Sequence, residues 1–488
     1  MMRIARRLLL PVIVLLVHGR YVGFGFTSLD DLTLIANDQA FLTSAGVLWR
    51  AFARSYFHAA EAAHTYVRPV VTLSYALDAR LFGAAAGGYH ATNVLLHLGA
   101  SWLVWVLFCR AKLSGAVATV ASVLFAVHPV VVPAVAWIPG RNDSLLAVFS
   151  LASVLAYGEA RVGARAVRWR ALHIVTFALA MFTKETAVVV PLLCLAWGRC
   201  VPQDESSARQ RCWRVAAHSI GWASVIALFF AARTRALPGA GPPPLDVAAA
   251  LRRAPLLVAS AGKLLFPVNL APIATLEDTT LWPGALSLAL AASLIALVVR
   301  RGGKPRTAVL IFGGALYVLP LVPTLFVGGS LALENRLYLP TAGALLVVAE
   351  LLDHARIERA LFLAFACVTA AALAALTFGG ASAYRDPLSF GKAAVAAAPR
   401  SALARFTLGQ ARQLRGDLDA AMGDYATALA IDPREPIVRN NIAVVHMRRG
   451  DWARAEAALL AELAVNPGYG AALQNLAIVR DRLSAKGP

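Results

Sequence analysis

Two adjacent carboxylates, Asp30 and Asp31, stand in FTSLDDLTLIANDQA, directly after the first apolar run of the chain. Adjacent acids repel, and a charge at the edge of a bilayer is costly unless it has a partner or a use. Such a pair suits a solvated loop, a topology signal or a proton acceptor. Polar residues of complementary type recur further on: Arg68 in TYVRPVVTLSYALD, His90, Asn93 and His97 in GYHATNVLLHL, and His128 in FAVHPVV. Arg141 and Asp143 follow in PGRND, Lys184 and Glu185 in FTKET, Lys263 in GKLLFPVNL, and Glu334, Arg336 and Tyr338 in ALENRLYLP. Arginine's fork and lysine's point charge hold phosphate, and a carboxylate nearby takes the proton of an acceptor hydroxyl. Cations placed around a departing phosphate usually supply the larger share of such catalysis. The set therefore suits an anionic leaving group and a hydroxyl nucleophile. Blander readings stand beside it. Arg141/Asp143, Lys184/Glu185 and Glu334/Arg336 can be ion pairs pinning helix ends, Asn93 and His97 interhelical hydrogen-bonders, and His128 a helix-end polar group.

The elements that must position these groups are membrane helices. The 488 residues are 59% hydrophobic and 15% charged, against about 45–50% and about 25% in soluble domains. The net charge of +19 does not point to nucleic acid, because the basic residues lie in short clusters between apolar runs. Runs near 8–26, 90–109, 115–136, 144–160, 171–183, 186–198, 215–232, 281–299, 307–327, 338–353 and 360–380 give about eleven spans. The N-terminal MMRIARRLLLPVIVLLVHGRYVGFGF has no small-residue cleavage site and reads as a retained first helix. With the N-terminus inside, alternation puts Arg3/Arg6/Arg7, Arg110/Lys112, Arg161/Arg165/Arg168/Arg170, Arg199/Arg209/Arg211/Arg214, Arg300/Arg301/Lys304/Arg306 and Arg356/Arg359 on one cytoplasmic side. The stretch 246–276 is then external or re-entrant. Three long segments share the opposite face: a first loop over 27–89 with amphipathic stretches such as AGVLWRAFARSYF, a second over 233–280, and everything after 381. Of the five cysteines, Cys194 and Cys367 lie in apolar runs and Cys109, Cys200 and Cys212 in or beside basic segments. No external disulfide framework follows, and no spacing suggests a zinc site.

Past residue 383 the composition shifts. Pro399, Pro433 and Pro467 recur every 34 residues, as do Leu408/Ile442/Leu476 and Gly409/Ala443/Ala477, while Gly416–Asp417 matches Gly450–Asp451. That period is the tetratricopeptide signature, with Gly409, Ala421, Tyr425, Ala428 and Pro433 fitting the small/aromatic/Pro pattern. The expectation is an all-α chain: a membrane domain over 1–383 and a tetratricopeptide α-solenoid over 384–488, with repeats near 402–435 and 436–469 and a partial one over 470–486. Such a solenoid by itself points to protein binding, not chemistry.

The ordered series DD, YVRP, GYHATNVLLH, LFAVHPVVVPAVAWIPGRNDSL, FTKET, ENRLYLPTAG and terminal tetratricopeptide repeats resembles the transmembrane and tetratricopeptide-repeat-containing O-mannosyltransferases. These are glycosyltransferases of the GT-C class, and the similarity runs over nearly the whole chain. The resemblance implies a polyprenyl-phosphate sugar donor and transfer with inversion to a Ser/Thr hydroxyl. It implies Asp30 or Asp31 as the base, Asp31 slightly favoured, with Arg68, Arg141, Lys184 and Arg336 for the phosphate and His90 orienting a substrate. The tetratricopeptide tail would recruit the acceptor polypeptide. No cofactor is fixed, although a divalent cation at Asp30/Asp31 remains open. One departure matters: in HPVVVPAV, Pro133 stands where relatives usually carry Glu. A non-catalytic, membrane-anchored tetratricopeptide scaffold for envelope assembly is therefore the alternative. Abundant Ala and Arg fit a bacterial inner membrane, with the N-terminus cytoplasmic and the tail periplasmic.

Overall fold

The structure, a computed structural model, describes residues 2–58, 66–161, 166–201, 208–239, 241, 246–267, 270, 272–327, 334–355 and 357–485, without the side chains of 2–7 and 208–214. Arg3, Arg6, Arg7, Arg165, Arg209, Arg211, Arg214 and Arg356 of the charge argument, and the Cys212 side chain, lie outside the described residues. No strand forms among the described residues; the elements are helices and their connections.

The first apolar run forms α1 (Met2–His18), prolonged by a 3-10 turn over Gly19–Gly23. In the first loop, one π-turn over Leu32–Ala36 follows Asp31, and two single-turn helices, α2 (Gln39–Leu42) and α3 (Val47–Arg50), come next. Helix α4 (Pro69–Phe82) begins on a proline, whose missing N–H costs nothing at a first helical position, and stops at Gly83 with φ +61°. The long α5 (Ala86–Arg110) leads to α6 (Gly115–Ala126). His128–Pro129 then breaks the run before α7 (Val132–Ala136), bending it by 48°. There follow α8 (Arg141–Glu159), α9 (Ala166–Thr183), a 3-10 turn Glu185–Val189, α10 (Val190–Trp197) and α11 (Ala208–Ala236). The ambiguous stretch becomes two short helices, α12 (Val247–Arg253) and α13 (Pro255–Leu265), the latter packed on α14 (Trp282–Arg300). The membrane portion ends with α15 (Thr307–Val318), α16 (Tyr338–His354) and α17 (Arg359–Gly380).

Each of the eleven apolar runs falls on helix. Among the described residues, six helices are long and apolar enough to cross a bilayer: Ala86–Arg110, Val215–Ala236, Trp282–Arg300, Thr307–Phe326, Glu334–His354 and Arg359–Tyr384. The bent pair over 115–136 makes a seventh if it is one span. The remaining runs are shorter or interrupted by polar ends, so length and apolarity alone do not reach eleven. A multi-pass, all-helical membrane protein is what these helices make. The outward residues of α17, Phe365 at 72% exposed among them, suit contact with lipid tails.

Two devices hold the bundle. Arg306 donates to both oxygens of the fully buried Glu350 (3.0 and 2.5 Å) and to the Ala111 carbonyl (2.6 Å), joining α15, α16 and the end of α5. Where α15 crosses α16, a Cβ on Gly343 would lie 2.4 Å from the Tyr317 nitrogen and 2.6 Å from the Gly313 oxygen. Only glycine allows that approach.

After a 3-10 turn Ala381–Tyr384 come α18 (Pro387–Ala397), α19 (Ala402–Leu414), α20 (Leu418–Ile431), α21 (Val438–Arg448), α22 (Trp452–Val465) and α23 (Gly470–Ser484), each packed on the next. Asp386, Ser401, Asp417 and Asp451 cap four of them by accepting from the backbone three residues on. Gly416 and Gly450, 34 apart, take the left-handed turn (φ +84° and +75°) before α20 and α22. This tail is tied to the membrane portion by the Gly25 N–H donating to the Arg385 carbonyl (3.0 Å) and by an Arg400–Asp278 ion pair (2.9 Å).

Gly343→Ala is expected to destabilise the protein by about 1–3 kcal/mol through overpacking, lowering its unfolding temperature in detergent, while Gly314→Ala, with open space at its Cβ, leaves it unchanged.

Candidate functional site

The acidic pair sits on a strained turn. Leu29 adopts φ +64°, rare for a branched side chain, and reverses the chain into the π-turn. Thr27 donates to Asp31 Oδ2 from its backbone N–H (2.5 Å) and its hydroxyl (2.7 Å). Asp31 is fully buried, and its Oδ1 has no protein partner among the described residues. Asp30 is only half-buried. Burial lifts the Asp30 carboxyl to about 6 against the pull of Arg68. Burial lifts Asp31 to about 7; its bonds to Thr27 oppose the shift and Asp30 adds to it. Asp31, slightly favoured from the sequence as the freer member, is the one locked inward on Thr27, and Asp30 is the more exposed of the two.

Three of the four expected cations lie within electrostatic reach of one another, and one of them, Arg68, also acts on Asp30. Arg68 donates to Glu185 (3.1 Å) and lies over the rings of Tyr66 and Tyr56, 4.6 and 5.4 Å from their centroids. The Tyr56 hydroxyl meets that of Tyr75 at 3.3 Å, and both tyrosines feel the charge of one member of the acidic pair. Lys184 donates to Asp143 (2.5 Å) and Asn142 (3.2 Å), and Asn335 holds the other Asp143 oxygen at 2.6 Å. Burial brings Lys184 down to about 8, against the pull of Asp143, with Arg68 and Arg336 adding repulsion. Arg336 makes no hydrogen bond or ion pair among the described residues. It lines a cleft together with Leu256, Leu257, Leu321, Leu325 and the ion-paired Lys263 and Glu334. Arg68 and Lys184 are thus each held by a different acid, Glu185 and Asp143, while an apolar cleft adjoins Arg336.

The other two expected residues stand elsewhere. Arg141 is fully buried. It ion-pairs with Asp78 (2.6 Å), donates to Asn93 Oδ1 (2.7 Å), Ser74 (3.2 Å) and the Tyr89 carbonyl (2.8 Å), and stacks over Tyr75. With every face used, it has nothing to offer a phosphate and is instead the clamp that joins α4, α5 and α8. His90 spends Nε2 on the Gly25 carbonyl (3.2 Å) and sets its edge against Phe24, so it holds the segment that leads into the acidic turn.

The near-neighbour ion pairs do not form. Partners are exchanged across the fold: Arg141 takes Asp78, Lys184 takes Asp143, Arg68 takes Glu185, and Lys263 takes Glu334. Among the contributors unmarked in the sequence are Asp78 and Thr27; a lone acid in the apolar α4 was the available signal for the first. His128 is the helix-end group expected of it, meeting the Leu264 carbonyl at 2.9 Å. Pro133 is buried in α7 and brings no carboxylate. Among the described residues no three His, Cys, Asp or Glu groups converge as metal ligands, so Asp30/Asp31 alone is a poor fit for a divalent cation.

No protein-family model matches the chain. Curated relatives do. The protein O-mannosyl-transferase TMTC3 of Homo sapiens is 29% identical over 139 residues, 28% of this chain and 15% of that protein. Tmtc1 of Drosophila melanogaster is 38% identical over 135 residues, 27% of this chain and 15% of that protein. TMTC4 of Homo sapiens is 32% identical over 183 residues, 33% of this chain and 25% of that protein. The chain thus spans a quarter or less of the length of these relatives.

Truncating a buried charge strands its partner. Arg141→Ala is expected to cost about 3–5 kcal/mol, and Arg141→Lys to recover little because a point charge cannot serve four acceptors; thermal unfolding of the purified variants checks both.

Proposed function

We propose that this relative of the TMTC protein O-mannosyl-transferases is a membrane glycosyltransferase of GT-C type. It moves a sugar, mannose by analogy with those relatives, from a polyprenyl-phosphate donor to a Ser/Thr hydroxyl of a polypeptide. The observation that carries the reading is the half-buried Asp30, backed by the locked Asp31, within electrostatic reach of the Arg68 cluster.

Asp30 accepts the hydroxyl proton as the oxygen attacks the anomeric carbon. The bond from that carbon to the phosphate oxygen breaks on the opposite side, giving inversion, and polyprenyl phosphate leaves with the electron pair. Arg68, Lys184 and Arg336 balance its growing charge in a site poor in water, where such placement is worth most. The leucine cleft beside Arg336 supports a lipid-linked donor. Arg141 and His90 act as positioning residues for the loop. The chain's basic clusters support placing this site opposite the cytoplasm, and the 34-residue helical units support a tetratricopeptide solenoid, on the same face, that presents the acceptor. Eleven crossings and a bacterial inner membrane are part of the same reading. The scaffold alternative draws on Pro133 and on the shortness of the repeat array.

With purified protein and polyprenyl-phosphate mannose, Asp30→Asn is expected to lose about 10²–10⁴-fold in transfer rate, the usual worth of a general base, with normal membrane insertion. Unchanged transfer overturns Asp30 as the base, whereas no transfer by the parent protein with any lipid-linked sugar supports the scaffold instead.

The pH profile follows from the charges. Asp30 works ionised, and its carboxyl is raised to about 6, so activity falls as pH drops through that value. Lys184 works protonated and is lowered to about 8, so activity falls again as pH rises past it. Lys184→Arg is expected to remove the alkaline limb only.

A further inference from the structure

The first loop carries a second feature that the transfer reading does not use. On α3, Trp49 is 77% exposed, and on the last turn of α4 Leu77, Leu81 (63%) and Phe82 are exposed as well. Arg80 joins the two elements by donating to the Ser44 carbonyl at 3.1 Å. The guanidinium groups of Arg50 and Arg54 lie over one ring, 5.8 and 5.7 Å from the Phe41 centroid. The acid on that side, Asp38, is taken by His58 at 3.3 Å. Among the described residues none of Arg50, Arg54 and Arg80 has an acidic partner.

Position says what such a surface meets. Helix α5, apolar enough to span, starts at Ala86, four residues after Phe82. The end of α4 therefore stands where hydrocarbon gives way to headgroups. Large apolar and aromatic side chains are stable at that depth, whereas in a water-facing loop they would form an open patch. Unpaired guanidiniums beside them face a layer of phosphates.

We propose that this rim is a membrane-interface site in which Trp49, Leu77, Leu81 and Phe82 enter the edge of the hydrocarbon while Arg50, Arg54 and Arg80 bind the phosphates of anionic phospholipid headgroups. The rim fixes the height of the first loop, and so of the acidic turn, above the bilayer. It stands whether or not the chain transfers a sugar.

The test uses the full chain in nanodiscs of phosphatidylcholine alone and of phosphatidylcholine with phosphatidylglycerol. Spin labels at Trp49→Cys and Leu81→Cys, on a cysteine-free background, are expected to collide with oxygen more than with a water-soluble nickel chelate. Hydrogen exchange over 44–54 is expected to slow several-fold when phosphatidylglycerol is present, and Arg50→Gln/Arg54→Gln to lose that difference while keeping the parent unfolding temperature. Labels as open to the chelate as a loop control, or shielded from both agents by protein, overturn the proposal. So does equal exchange in the two lipids, which decides the matter on the parent chain even if the double variant fails to fold.

Discussion

One buried guanidinium carries the geometry of the first loop. Arg141 opens α8, at a helix N-terminus where a cation is disfavoured by the dipole, and it is fully removed from water. Such a charge is tolerable only because Asp78 neutralises it and three further acceptors use its remaining donors. Those acceptors come from α4 and α5, so satisfying the charge forces three helices into one arrangement. Tyr75, stacked on Arg141, then meets Tyr56, which packs beneath Arg68. The clamp thus reaches the site without touching a substrate.

The second ordering principle is partner exchange. Had Arg141 paired with Asp143 and Lys184 with Glu185, each helix end would have closed on itself. Instead each charge reaches to another element, and the pairs stitch α4 to α8, α9 to α8, and α13 to the turn before α16. The exchange leaves Arg336 without an ion-pair partner among the described residues, and it lines a largely apolar cleft. An unsatisfied cation, a half-buried acid and a buried amine of lowered basicity are expensive together. Perturbed groups of this kind cluster at functional sites.

Much of the architecture could be read from the chain. Apolar runs gave the membrane helices because length and hydropathy are local properties, whereas the bend at His128–Pro129, inside a stretch read as one run, was not anticipated although proline lacks the donor a helix needs. The 34-residue spacing of Pro399, Pro433 and Pro467 marked units whose capping aspartates and left-handed glycines repeat at the same interval. What stayed hidden was pairing. Arg141 finds Asp78 across 63 positions, and nothing local distinguishes that acid from Asp143, two residues away. The difference in burial between Asp30 and Asp31 was hidden for the same kind of reason: it turns on Thr27 and on the φ of Leu29, which spacing does not encode. Arg68, Lys184 and Arg336, marked only as basic residues in apolar surroundings, do come near one another, whereas Arg141 and His90 turned out to be committed elsewhere.

The account stands on the phosphate of a lipid-linked sugar sitting among Arg68, Lys184 and Arg336, with its anomeric carbon toward Asp30. An electron cryomicroscopy map of the full chain in nanodiscs with a non-transferable polyprenyl-phosphonate sugar tests this directly. The expected result is phosphonate density bridging those three side chains and the polyprenyl chain running along the leucine cleft. Phosphonate density at the opposite membrane face, among the arginine clusters, would contradict it.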